Sequence, residues 1–536
     1  MKKTILRYSA LISVGLLLST GCTKNFQKLN TDPTAFATTN YDPNYLLTTA
    51  QLNYTGSQDF SYDTWRADLI YCSDMIQGTA TAIGYWAGDK YLLANTDYTA
   101  AYWESPGGGD GAYSEQVKPI VDVVESTKGV AKYNNLQQVA RIMRALIFER
   151  ITDLYGDVPY SEAGEGYYKK ILFPKYDAQK DIYTDMIAEV KDAISKFNTQ
   201  GDAVTGDAIY HGDLAKWTRF GNSLILRMGM RMSKVDPATA KTVVASVVGK
   251  TMIEGDDAYV KNDAAGGRPT VNRVSQVLLG GPENQYVKWS ETFIDLLQGK
   301  TKRTDPVSAL PDPRLAVISV VHADIGVAGG DNNPADQKGQ PNGYDLSGTP
   351  GLTLGSAPGF TALGDYSNPS TNLIGLGVPT FIFTYGESEL LLADAAERFS
   401  IGGDAATHYK NGVEGAMTYL SIYNAAATIS KTDADKWITA NPYVAGETGL
   451  KMINTQYWEL TNTMMDFYES WSNWRRTNYP TLVPVNYPGN ATGGTIPRRF
   501  PYPLYEAASN PNNYTPAHNA VPGGDNLAGR VWWDSK

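Results

Sequence analysis

Pairs of carboxylates are the first residues in this chain with which chemistry could be done. Glycosidic bond cleavage takes one carboxylic acid to protonate the leaving oxygen and a second carboxylate as nucleophile or base. Asp153 and Asp157 flank one turn, and Glu387 and Glu389 stand two apart in a later segment. A chain of 536 residues with 56 Asp and Glu supplies such pairs by chance, and carboxylates at helix ends ordinarily cap or form ion pairs. A surface glycoside hydrolase is therefore the alternative reading and not the leading one. Asp331, Asn333 and Asp336 offer oxygens to calcium, but no full twelve-residue loop pattern follows, so a solvated turn is expected there. The four histidines, His211, His322, His408 and His518, form no pair at helical spacing that would hold a metal. The GGGDG run lacks the Lys and Ser or Thr that engage phosphate, and reads as a linker. No metal, no cofactor and no catalytic residue is assigned.

Aromatic surface is the remaining resource. Sugars present apolar C–H faces that stack on Tyr and Trp, while polar side chains in the same cleft satisfy the hydroxyls. Tyr85, Trp86 and Tyr91 share one Gly-rich loop, and Tyr344 and Tyr366 lie in a long irregular stretch, so these five are the candidate ligand contacts. The competing role for each is to pin its loop to the scaffold. Trp458, Trp471 and Trp474 sit in a helical pattern instead and are expected in the core.

The elements that must carry these loops are helical. In NNLQQVARIMRALIFERITDLYGDVPYSEA, Leu136, Val139, Met143, Leu146, Ile147, Ile151 and Leu154 recur at three- and four-residue spacings and form one buried stripe. Asn134 or Asn135 can cap this helix, and Gly156 can end it before Pro159. Asp177 is expected to cap a second helix bearing Ile182, Met186 and Val190, and Asp213 a third bearing Trp217, Phe220 and Leu224. Arg227 and Arg231 lie four apart on that third helix, where they pair with buried carboxylates or stabilise its end. Helices are also expected over 45–51, 64–77, 112–128, 384–399 and 455–476, and a short strand over 315–322. Between about 299 and 380 periodicity gives way to Gly, Pro, Asn and Asp, a length that in a compact domain marks a functional loop region or disorder.

The first residues are a secretion leader, with a cationic start, an apolar run from Leu11 to Leu18, and Ser19, Thr20 and Gly21 before Cys22. The sequence around Cys22 resembles a bacterial lipobox, which makes Cys22 the acylated N-terminus and residues 22–43 a polar tether. Beyond Gly21 there is no run long and apolar enough to span a bilayer, so the lipid is the expected membrane attachment. Cys72 then has no partner for a disulfide and is read as a small buried apolar residue. The formal charge of −10 argues against a nucleic-acid partner.

Five motifs in order carry a resemblance. LNTDP near the start, ITDLYGDVPYSEA, GDLAKWTRFGNSLILRMGMRMSK, TYGESELLLADAAERF and the closing IPRRFPYPLYEAASNPNNY resemble hallmarks of the SusD/RagB family of nutrient-binding outer-membrane lipoproteins. The resemblance covers nearly the whole mature chain. It implies a mostly α fold, with tetratricopeptide-like helix pairs as scaffold over about 44–240 and 380–480, a loop-rich ligand-facing region over about 299–380, and a few short strands. No 34-residue period is visible that would give the repeat independently. It further implies a non-enzymatic protein held at the outer membrane, facing outward, that binds a glycan or other nutrient and passes it to a SusC-like TonB-dependent transporter. A structural or adhesive surface lipoprotein is the other non-enzymatic alternative.

Overall fold

In the computed structural model the helix that dominates the sequence lies in the core, with its apolar stripe turned inward. The structure describes residues 41–535 except 58–61, 94–95, 105–108 and 268–269; the leader and Cys22 lie outside the described residues. In chain order the principal helices are α1 (Asn44–Tyr54), a π-helix (Thr64–Ser73), α2 (Lys118–Thr127), α3 (Asn134–Tyr155), α4 (Gln179–Ser195), α5 (Leu214–Arg231) and α6 (Pro237–Ala245). They continue after the irregular region as α7 (Tyr385–Phe399), α8 (Ala405–Thr418), α9 (Glu447–Met464) and α10 (Phe467–Thr477). Each packs on its neighbour in sequence, α2 on α3, α3 on α4, α4 on α5, α5 on α6, α7 on α8 and α9 on α10. These are antiparallel helix pairs of the tetratricopeptide kind. Contacts of α7 with α5 and of α10 with α3 join the two runs. Asn44–Lys536 forms one compact unit.

The seven stripe residues of α3 are all fully buried, and Gly156, at φ 83°, ends the helix as expected. Its start differs. Neither Asn134 nor Asn135 caps it; the Asp202 carboxylate, brought from the α4–α5 connection, accepts from the Asn135 and Leu136 amides at 2.7 and 3.0 Å. Nor does Asp177 cap α4: its side chain accepts from the Ser161 amide and hydroxyl, while Asp157 accepts from the Gln179 amide at 2.8 Å. A cap from a distant loop satisfies the same orphan donors and leaves no local signature. Asp213 does cap α5, at 2.9 and 3.0 Å from the Ala215 and Lys216 amides. The helix expected over 455–476 is two, α9 and α10, because Met465 turns left-handed at φ 58° and Asp466 starts a new cap.

Strands are few and short, and pair two by two, all antiparallel. β1 (Thr79–Thr81) pairs with β5 (Val287–Trp289), β2 (Val158–Pro159) with β3 (Tyr176–Asp177), β4 (Ala258–Val260) with β8 (Thr380–Phe383), and β6 (Ser319–Val320) with β7 (Asn368–Pro369). The strand expected over 315–322 reduces to β6, since Leu315–Ile318 is one helical turn. The irregular region is built rather than loose. Buried Gln337, Gln340 and Asp345 tie it down, with Lys90 meeting Asp345 at 2.7 Å, both side chains 1% exposed. Trp458, Trp471 and Trp474 are buried in the core, as is the free thiol of Cys72.

Candidate functional site

The carboxylates with enzymatic potential all have structural employment. Asp153, in the last turn of α3, accepts from Arg231 Nε at 3.0 Å and Trp533 Nε1 at 2.8 Å, and from the Tyr183 hydroxyl. Asp157 holds the start of α4. Glu387 closes a reciprocal cap with Thr384, accepting the Thr384 amide at 2.8 Å, and receives the Tyr457 hydroxyl at 3.2 Å. Burial pushes its carboxyl up to about 8, so at neutral pH it is a protonated structural group in the first turn of α7. Glu389 accepts from Asn411 at 3.1 Å and pairs with His408 at 2.8 Å. Asp331, Asn333 and Asp336 bond one another in an exposed turn, with the Asn333 amide nitrogens reaching both aspartates.

Arg227 and Arg231 meet three buried carboxylates from two other helices, α3 and α10. Arg227 grips Glu149 through two hydrogen bonds, and Arg231 bridges Asp153 and Glu469, with all five side chains at 7% exposure or less. Burial works against ionisation of Glu469, but Arg231 and Arg227 outweigh it and hold its carboxyl below the ordinary range. This is a scaffold joint between α3, α5 and α10 and offers nothing to solvent.

The five expected ligand aromatics separate on burial. Trp86, Tyr91 and Tyr366 are fully buried. Tyr91 accepts the Val485 amide on its hydroxyl at 3.1 Å, and Tyr366 packs with Ala82 and Leu354 in a small separate core. In this structure those three pin loops and present no ring face to solvent. Tyr344 is half-buried, and Tyr85 is exposed, at 41%.

Around Tyr85 a second set of residues assembles that sequence reasoning did not select. The Tyr85 hydroxyl and Trp65 Nε1 both donate to Oε1 of buried Glu283, at 2.5 and 3.0 Å, with the two rings edge to face at 6.3 Å. Burial and the Glu283 carboxylate push the Tyr85 phenol up, so it stays a donor. Beside Trp65, the Arg66 guanidinium lies 3.3 Å from the Tyr62 ring centre, 4.7 Å from that of Tyr98 and 5.7 Å from that of Trp65. Tyr62, Trp65, Arg66 and Tyr98 are all half-buried. Trp65 and Arg66 occupy the first turn of the π-helix, a wide i→i+5 geometry that concentrates at functional sites. The reading of 64–77 as an ordinary helix hid them, and Glu283 stands 198 residues from Tyr85, beyond any local pattern. The weak signal available was an aromatic residue adjoining an arginine at a helix start.

The platform has the chemistry of sugar capture: aromatic faces suited to C–H surfaces, held by a buried carboxylate, with a cation beside them. A larger concavity, a groove of about 660 Å³ between α2, α3 and α4, is lined by charges that pair with each other, as Arg141 does with Glu189 and Asp192. It has less to offer an apolar sugar face.

Helix pairs carrying a face of aromatic loops define a helical binding scaffold. Residues 35–503 match the model of the SusD-like family described as starch-binding associating with outer membrane, and the chain belongs to that family. Its fold is shared by solved structures. A chitin-binding protein is 30% identical, with 92% of this chain and 100% of that one aligned at a TM-score of 0.76. The SusD-like protein Bacteroidetes AC2a is 24% identical over 92% and 100%, at 0.77. A chitin-binding SusD homologue from Flavobacterium johnsoniae is 20% identical over 92% and 99%, at 0.71. No curated protein matches the sequence.

Proposed function

We propose that this chain is a non-enzymatic, lipid-anchored nutrient receptor of the outer membrane that captures a glycan on the platform of Trp65, Tyr85 and Tyr98 and delivers it to a SusC-like TonB-dependent transporter. The observation that carries the binding step is the platform itself: aromatic rings at the surface, oriented by a buried carboxylate, on the scaffold of a family described as starch-binding. Tyr344 belongs to the same proposal as a half-buried neighbour in sequence of the irregular region. The 30% identical chitin-binding protein makes N-acetylglucosamine oligomers, beside maltooligosaccharides, the first probes. A binder returns its ligand intact, and the committed roles of Asp153, Asp157, Glu387 and Glu389 fit that expectation.

Calorimetry with these oligomers tests the reading. Binding that falls at least about tenfold in Trp65→Ala and Tyr85→Ala, with unchanged ligand on recovery, supports it; shortened products, or affinity indifferent to both variants, sink it. Anchoring through Cys22 and delivery are tested separately. Cys22→Ala should release the protein from membranes, and a pull-down from native membranes should recover the transporter.

A further inference from the structure

The platform holds one side chain whose hydrogen-bonding capacity is unused. Arg66 carries five N–H donors, yet among the described residues no carbonyl, carboxylate or hydroxyl oxygen accepts from it, and its Nε is buried without a partner. Every other arginine named above is engaged: Arg227 by Glu149, Arg231 by Asp153 and Glu469, Arg141 by Glu189 and Asp192. Aromatic faces do not replace those acceptors. They attract the cation electrostatically, and no hydrogen bond from its N–H groups to an oxygen accompanies them among the described residues. Tyr62, Trp65 and Tyr98 thereby hold the group and partly strip it of water while its donor edge stays unused. An ordered donor fork is matched by an acceptor that is itself planar. A carboxylate takes two parallel N–H bonds, and an acetamido carbonyl offers two in-plane lone pairs, whereas a sugar hydroxyl offers tetrahedral ones and also seeks an acceptor.

We infer that Arg66 is the specificity-determining residue of the platform and reads a planar oxygen acceptor on the bound sugar, an acetamido or a carboxylate group, so that the site takes acylated amino sugars or uronic acids in preference to unsubstituted glucans. The inference rests on the glycan-binding reading above and adds the class of sugar. Trp65 and Tyr85 supply the stacking that any pyranose can use. Arg66 supplies the discrimination.

The test is calorimetry of the full mature chain with oligomers of equal length of N-acetylglucosamine, galacturonic acid and glucose, for wild type, Arg66→Met and Arg66→Lys, with thermal melts to verify folding. Met keeps the apolar stem and removes every donor; Lys keeps the charge and loses the fork. Wild type should prefer one substituted oligomer to the glucan by about tenfold or more, and Arg66→Met should abolish that preference, its loss of affinity falling at least about tenfold more heavily on the substituted oligomer than on the glucan. The two sources separate in the Lys variant and in salt. A carboxylate ligand regains part of its affinity with Lys and weakens as salt rises, and an acetamido ligand does neither. Equal loss for all three oligomers in Arg66→Met, or a wild-type preference that survives it, overturns the inference while the platform reading stands. Absence of binding to every oligomer overturns both.

Discussion

Two places in this molecule set an arginine among aromatic and acidic neighbours, and they have opposite purposes. Beneath α3, α5 and α10, Arg227 and Arg231 are closed in by Glu149, Asp153 and Glu469, with the Phe383 ring 4.5 Å from Arg227 and that of Trp533 5.6 Å from Arg231. On the platform, Arg66 has three rings and, among the described residues, no carboxylate at ion-pair distance. Removing charges from water costs several kcal/mol each, which only close counter-charges and hydrogen bonds offset. The inner joint meets that condition with residues of the chain itself and so serves the fold. The outer arginine is left half-solvated, and its completion is left to something that comes from outside.

The largest effect should come from breaking the inner joint. Glu469→Ala leaves Arg231 with Asp153 alone and removes the acceptor of the Tyr457 hydroxyl at 2.7 Å. Loss of one partner of a buried pair costs about 3–5 kcal/mol. Chemical denaturation should register that loss, and the fraction that remains folded should bind glycan as before. Reduced affinity at full stability would erase the distinction between the two regions.

Glu283→Ala should do the reverse, on a smaller scale. It frees Trp65 Nε1 and the Tyr85 hydroxyl together, so both rings lose the anchor that fixes their angle. Ordering side chains on binding costs about 0.5–1.5 kcal/mol each, so affinity should fall about tenfold by calorimetry, with a smaller change in melting temperature. Glu283→Gln keeps the packing and one acceptor oxygen and should recover much of the loss. A Glu283→Ala protein with wild-type affinity would show that the rings need no preorganisation.

The next effect separates the interior from the surface by pH. Burial, and to a lesser degree Glu469, raise the carboxyl of Glu387 to about 8, against the opposing pull of Arg227. An acid whose folded value lies above its unfolded one stabilises the fold fully below the unfolded value, near 4.5, and loses that contribution as pH rises through about 8. Glu387→Gln should therefore match wild type near pH 5 and exceed its stability by roughly several kcal/mol above pH 8. Denaturation at the two pH values checks this. A constant offset would mean that Glu387 does not titrate between them.

Legibility in the sequence followed the range of the interaction. The stripe of α3, the Asp213 cap and the Thr384 helix start were readable, because periodicity and capping act within a few residues; of the two roles open to Arg227 and Arg231, the structure shows pairing with buried carboxylates 78 or more residues away. What failed was non-local. Asp202 caps α3 from 67 residues away, and Glu283 reaches Tyr85 across 198. The family motifs pointed to the right scaffold for the same reason that they missed the platform: they lie in helices and turns the fold needs, and Trp65 and Arg66 lie outside them.

The smallest effect is expected where aromatic composition was most misleading. Tyr366 belongs to the irregular region and resembles a ligand contact in every property visible in sequence. In the structure its ring is fully buried, 6.3 Å from Phe360, with Lys338 5.1 Å from its centre, and its hydroxyl is buried with no hydrogen-bond partner among the described residues. A buried hydroxyl without a partner has already lost its water, so deleting it removes a cost and no bond. Tyr366→Phe should leave glycan affinity untouched and hold or slightly raise the melting temperature, whereas Tyr85→Phe, which loses the bond to Glu283, should weaken binding. If Tyr366→Phe instead lowers affinity by several-fold, that hydroxyl is uncovered when ligand binds, and the boundary drawn between loop-pinning and ligand-facing aromatics has to move inward.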